Sequence, residues 1–188
     1  MLTKLLVRWL LAGSLVATVA VAALLSSDSR EFRVRDDCDP ATFNAALRPG
    51  ACNEKFDGDT TFAKFLAEFD EDGQVGAWRF NPDNVGLDQG QRTIFQSRAG
   101  EFHTFTKVAA FGGGIVPPLN VHLPAGTQGT RPECGGPGRL AAETPTNIYV
   151  PFGSAFAGPK AGSTELPPGT TTWQCCFHPW MRSTITVK

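Results

Sequence analysis

From about residue 75 onward the chain alternates apolar and polar residues in short runs separated by turn signals, the pattern of strands with one buried face. Residues 75–80, 92–96 and 102–108 are three such runs, 147–152 is a shorter one, and 170–177 and 181–187 form the clearest pair. Strands at this spacing predict a sandwich or barrel. Residues 111–169 have another texture: Gly112-Gly113-Gly114, Pro117-Pro118, Gly135-Gly136-Pro137-Gly138 and Pro167-Pro168-Gly169 predict long excursions.

Ahead of the strands the period changes to that of helices. Asp39 supplies an N-cap before Pro40, Phe43, Ala46 and Leu47 make an apolar stripe, and Pro49-Gly50 stops it. Asp59-Thr60-Thr61 opens a second helix with Phe62, Phe65, Leu66 and Phe69 on one face, ending at Asp72-Gly73. Cys38 and Cys52 bracket the first helix, and a disulfide there would contribute about 3 kcal/mol. Residues 38–72 therefore read as a small stapled helical element, and the polar residues 23–37 as a tether with little to bury. At the start of the chain, Lys4 and Arg8 precede an apolar run over 9–25 ending in Ala20-Val21-Ala22-Ala23. That predicts a signal peptide over 1–22 and export to the periplasm or cell exterior; membrane association follows only if this segment stays uncleaved.

Composition supports the strand-based reading, because 20 Gly and 14 Pro against a single Tyr favour an all-β body over a helical bundle. Without Lys4 and Arg8, 15 basic residues face 18 acidic ones, and no basic run remains to hold nucleic acid. In Asp70-Glu71-Asp72-Gly73 the glycine falls at position 4, not 6, so this is a solvated helix end and not a calcium loop. The chain has neither a phosphate-binding glycine loop nor a G-x-S-x-G elbow. Export changes how the five cysteines are read: an oxidising compartment lets thiols pair, and an odd count leaves one over.

The stretch Trp173-Gln174-Cys175-Cys176-Phe177-His178-Pro179-Trp180-Met181 concentrates soft and imidazole ligands. Strand alternation puts Trp173 and Cys175 on one face and Cys176 on the other. Pro179 cannot continue a ladder, so the chain turns there and returns as the Met181 strand. Cys175, His178 and Met181 then converge, and sulfur with imidazole selects copper, provided a second histidine joins. His103 and His122 are the two candidates.

The motif Cys175-x-x-His178-Pro179-x-Met181-Arg182 resembles the ligand loop of amicyanin and related plastocyanin-like cupredoxins, and Pro168-Gly169-Thr170 is similar to the turn entering their cysteine strand. Phe80-x-Pro82, Gly90 and Ser97 through His103 follow the family's path to its first histidine. The resemblance covers roughly 75–188. It implies a Greek-key cupredoxin-like β-sandwich over that range and a single copper ion alternating between Cu(I) and Cu(II). It makes His103, Cys175, His178 and Met181 the ligands; His122, in a Pro-rich excursion, reads as a surface-loop residue. With Cys175 the thiolate ligand, the other four cysteines can pair as Cys38–Cys52 and Cys134–Cys176. The chain departs from the family at Ser97 and Thr104, where the family usually has Asn, and at Cys176, where it has Ser or Thr; these positions tune the site through hydrogen bonds.

The function implied is that of an exported single-electron carrier, with a redox protein docking near His178, Pro179 and Trp180. The alternative is a cupredoxin-like module that stores or delivers copper or binds a partner. An enzyme is not expected, since the three histidines include no His-x-His pair of the multicopper oxidases.

Overall fold

Alternation becomes two packed sheets in a computed structural model that describes residues 28–53 and 58–188. The expected leader and its cleavage site lie outside these residues. Among the described residues no helix is long and apolar enough to cross a membrane.

The first sheet has the order β2-β1-β4-β9, built from β1 (Ser29–Arg35), β2 (Arg79–Asn81), β4 (Arg92–Ser97) and β9 (Ala155–Ala157). The second has the order β3-β11-β10-β5-β8, from β3 (Asn84–Leu87), β5 (His103–Val108), β8 (Asn147–Val150), β10 (Gly169–Gln174) and β11 (Arg182–Val187). β1 runs parallel to β4 and β3 parallel to β11, whereas β10 is antiparallel to both β11 and β5. Phe32 and Phe95 of one sheet meet Phe105 and Trp173 of the other, with Phe95 and Phe105 centroids 4.6 Å apart. The all-β sandwich read from the sequence is the fold.

β1 corrects the tether reading. Its residues alternate charge with Phe32 and Val34, and both apolar side chains are wholly buried, each worth about 1.5–3 kcal/mol. Only two apolar positions are needed because β1 lies between β2 and β4, which satisfy its backbone on both sides. The sandwich therefore begins upstream of residue 75, and residues 75–78 form a turn, not the start of a strand.

The helical element has two helices, α1 (Pro40–Ala46) and α2 (Phe62–Asp72). The Thr42 N–H donates to the Asp39 carboxylate at 3.0 Å, the Lys64 N–H donates to Thr61 Oγ1 at 3.2 Å, and Gly73 ends α2 at φ 65°. Phe43, Phe65 and Phe69 turn inward against Trp78 and Trp180, so this element is packed onto the end of the sandwich. The disulfide Cys38–Cys52 is formed, as is Cys134–Cys176, which leaves Cys175 free and buried.

The excursions contain a four-residue helix, α3 (Pro117–Asn120), and a small ribbon of β6 (Gly135–Gly136) and β7 (Arg139–Leu140). They fold back over β10. The Ile115 N–H donates to the Cys176 carbonyl at 2.7 Å, and a Cβ on Gly114 would lie 2.1 Å from that oxygen. Gln174 fixes the same strip through hydrogen bonds to both backbone groups of Gly112.

Candidate metal centre

Three elements deliver three donors to one point. His103 opens β5, Cys175 follows the last residue of β10, and His178 sits in the turn that leads to β11. That turn is closed by two backbone hydrogen bonds: the Met181 N–H donates to His178 O at 2.9 Å, and the Cys175 N–H donates to Met181 O at 3.0 Å. Pro179, with no N–H to give a ladder, lies within that turn, beyond the end of β10 at Gln174. Met181 is buried, and the same two bonds fix its backbone in this turn.

Cys175 Sγ lies 3.7 Å from His103 Nδ1 and 3.9 Å from His178 Nδ1, and the two Nδ1 atoms are 3.3 Å apart. A point equidistant from all three atoms is about 2.1 Å from each, the length of metal bonds to imidazole nitrogen and close to those to thiolate sulfur. The three residues form a buried potential metal-binding group, and thiolate with two imidazoles, followed in the same turn by Met181, is donor chemistry that suits copper. His122 is elsewhere: its ring packs 4.4 Å from that of Phe69, with Nε2 3.7 Å from Asp70.

Electrostatics prepare the donors. Burial alone would push the His103 imidazole down, but hydrogen bonds to Asp36 and Cys175, with their charges, hold it up at about 10. His178 is likewise raised to about 9 against burial, by Cys175 and Glu101. Burial would raise the Cys175 thiol, yet the two imidazoles bring it well below the usual thiol range. The His178 N–H also points at Cys175 Sγ, 3.5 Å away.

The residues around the donors answer the departures noted in the sequence. Thr104 Oγ1 accepts from the Cys176 N–H at 2.8 Å and so ties β5 to the end of β10. Cys176 is committed to its disulfide, while the Ser97 hydroxyl is buried with no partner.

Two residues went unnoticed in the sequence. Asp36 Oδ2 lies 2.7 Å from His103 Nε2, and Glu101 Oε2 lies 3.1 Å from His178 Nε2. No local motif marks either one; Asp36 is 67 positions from its histidine.

The docking patch expected at His178, Pro179 and Trp180 is not open, since all three residues are buried. α2 covers Trp180, with the Phe69 and Trp180 centroids 4.8 Å apart, and Trp180 in turn stands edge-on to His178. A cleft of about 630 Å³ reaches Trp180 and Met181 and is also lined by Arg79, Phe111 and Arg182.

No family model matches the chain, and a search of the curated proteins finds no match. Solved structures similar to it include a novel purple cupredoxin from Nitrosopumilus maritimus, at 12% identity and TM-score 0.40, covering 84% of this chain and 98% of that one. The dithionite-reduced auracyanin of the photosynthetic bacterium Roseiflexus castenholzii gives 16% and 0.32, covering 58% of this chain and 87% of that one. An amicyanin mutant in its reduced state gives 15% and 0.32, covering 61% and 78%. All three are cupredoxins, the family that the ligand-loop sequence resembles. At such low identities and scores, the functional reading rests on this chain's own sheets and donor cluster.

Proposed function

We propose that the chain is an exported type 1 copper protein that carries single electrons, and that His103, Cys175, His178 and Met181 would hold the copper. The observation that carries this reading is the donor triangle, whose three atoms already surround a point at metal-bond distance. Copper, when bound, would supply a one-electron couple between Cu(I) and Cu(II). The chain's part is to keep the donors still. His103 is fixed by a strand, Cys175 by the disulfide-locked end of the next, and His178 and Met181 by a hydrogen-bonded turn, so little rearranges when charge changes.

Burial of all three donors disfavours storage or delivery, which requires ligands open to exchange. A redox partner protein is part of the reading. With His178, Pro179 and Trp180 buried, it would dock over the cleft that carries Arg79 and Arg182 and has Trp180 and Met181 in its lining.

Visible spectroscopy of the mature protein with Cu(II) tests this. An intense thiolate-to-copper charge-transfer band, abolished by Cys175→Ser, with fast reversible reduction, is the expected result. A colourless protein sinks the reading, and a coloured one reduced only slowly points to storage.

A further inference from the structure

A histidine offers a metal one nitrogen, and the bond made by the other decides which. Here both Nδ1 atoms face the thiolate, and each Nε2 meets a carboxylate. We propose that Asp36 and Glu101 are positioning residues that fix both imidazoles with Nδ1 as the donor and bias the site's one-electron couple toward the oxidised metal. The bias rests on the copper reading above.

The two carboxylates are built into one device. Asp36 is wholly enclosed and also accepts the Gly100 N–H at 2.6 Å and the Glu101 N–H at 2.8 Å, so it cannot swing away from His103. Those amides belong to the turn that enters β5. Within four residues, 100–103, this turn supplies two donors to Asp36, the carboxylate facing His178, and the first ligand. Its approach is close: a Cβ on Gly100 would lie 2.5 Å from Cys38 Sγ, so the Cys38–Cys52 disulfide and Gly100 define the same contact. Glu101 is only slightly exposed, and among the described residues its ion pair is with the His178 ring.

The charge consequence follows from the neighbours. A metal ion held by these donors would face the Cys175 thiolate and, beyond the two imidazoles, the carboxylates of Asp36 and Glu101. Anions at these positions favour the higher ionic charge, because solvent that would screen them is excluded. Asp36 also hydrogen-bonds His103 Nε2, and Glu101 lies 3.1 Å from His178 Nε2; a carboxylate at that nitrogen makes an imidazole a better electron donor, which acts in the same direction.

Glu101→Gln decides the matter, since it keeps the side chain's length and an oxygen acceptor while removing the charge. The expected result is an intact charge-transfer band and at least a tenfold rise in Cu(I) affinity relative to Cu(II). Cyclic voltammetry would read that as a potential higher by about 59 mV for a one-electron couple. Glu71→Gln, on the exposed face of α2, is the control and should not move it. Asp36→Asn should act in the same direction if it folds; if it does not, Glu101→Gln is sufficient. An intact band with a potential equal to the control's overturns the bias and leaves the copper reading standing. Wild-type protein without the band sinks the copper reading, and the bias with it. The positioning role is judged without metal: ring ¹⁵N spectra of the metal-free protein recorded above about pH 10, where each ring holds a single proton, should place that proton on Nε2 of His103 and His178, and a bare Nε2 on either ring overturns it.

Discussion

Loading the metal-free protein with Cu(II) at neutral pH should release about two protons, one from each imidazole. Cys175 Sγ stands 3.7 and 3.9 Å from the two Nδ1 atoms. Burial opposes every charge there, but the mutual hydrogen bonds outweigh it, with His103 held at about 10, His178 at about 9 and Cys175 well below its usual range. At neutral pH the thiolate is therefore ready, and each imidazole still carries the Nδ1 proton that a metal must replace. The metal-free state binds protons that the loaded state cannot, so affinity rises with pH up to about pH 9 and falls as pH drops. Each proton is worth tenfold per pH unit, about 1.4 kcal/mol, so the steepest dependence is roughly a hundredfold per unit. Calorimetric titration in two buffers of different ionisation enthalpy counts the protons directly, and affinities across about pH 6 to 8 give the slope. A count of one would mean that the rings share a single proton across their 3.3 Å contact. No proton release, with affinity flat over the range, would refute the imidazolium–thiolate description of the metal-free protein.

Replacing both Cys134 and Cys176 with Ser should cost about 4 kcal/mol in denaturant melts, given the 42-residue separation, yet leave the copper band in place. Disappearance of the band from a folded variant would instead make Cys176 essential to the site. Phe69→Ala removes the ring that α2 lays on Trp180, and should cost about 3–5 kcal/mol while speeding reduction by small reagents that reach His178; stopped-flow rates equal to wild type would show that α2 is not the barrier. His122→Ala should leave copper affinity and colour unchanged in the same titration, and a lost band would move the first ligand from His103 to His122.

How much of this was legible depends on range in sequence. The Cys175–Met181 turn could be read because strand alternation and the missing N–H of Pro179 act within a few residues. Helix α2 was equally clear, since its cap, apolar stripe and Gly73 stop are all local. β1 was not: four charged side chains in Ser29–Arg35 outnumber Phe32 and Val34, and only pairing with a strand more than 60 residues away makes it a sheet interior. β3 was hidden by brevity and by Gly86, and its partner β11 lies at the far end of the chain. Asp36 and Glu101 illustrate the same limit at the site. A lone carboxylate carries no pattern, and it acquires a role only when the fold sets it on an imidazole. The burial of Trp180 was hidden for a related reason: the apolar face of α2 was plainly packing, but nothing local said that it would pack on Trp180.

The adjacency of Cys175 and Cys176 bears on how the molecule matures. In an unfolded chain these neighbours are interchangeable as partners for Cys134, and the rings they would close differ by one residue, so chain entropy cannot choose between them. Only the pleat distinguishes them, by turning one sulfur toward the histidines and the other toward the Cys134 loop. A chain oxidised at the wrong sulfur leaves Cys176 as the free thiol beside the misplaced bond, able to attack it and exchange places. Sheet formation thus proofreads the oxidation, and capture of Cys175 by a metal would lock in the corrected product.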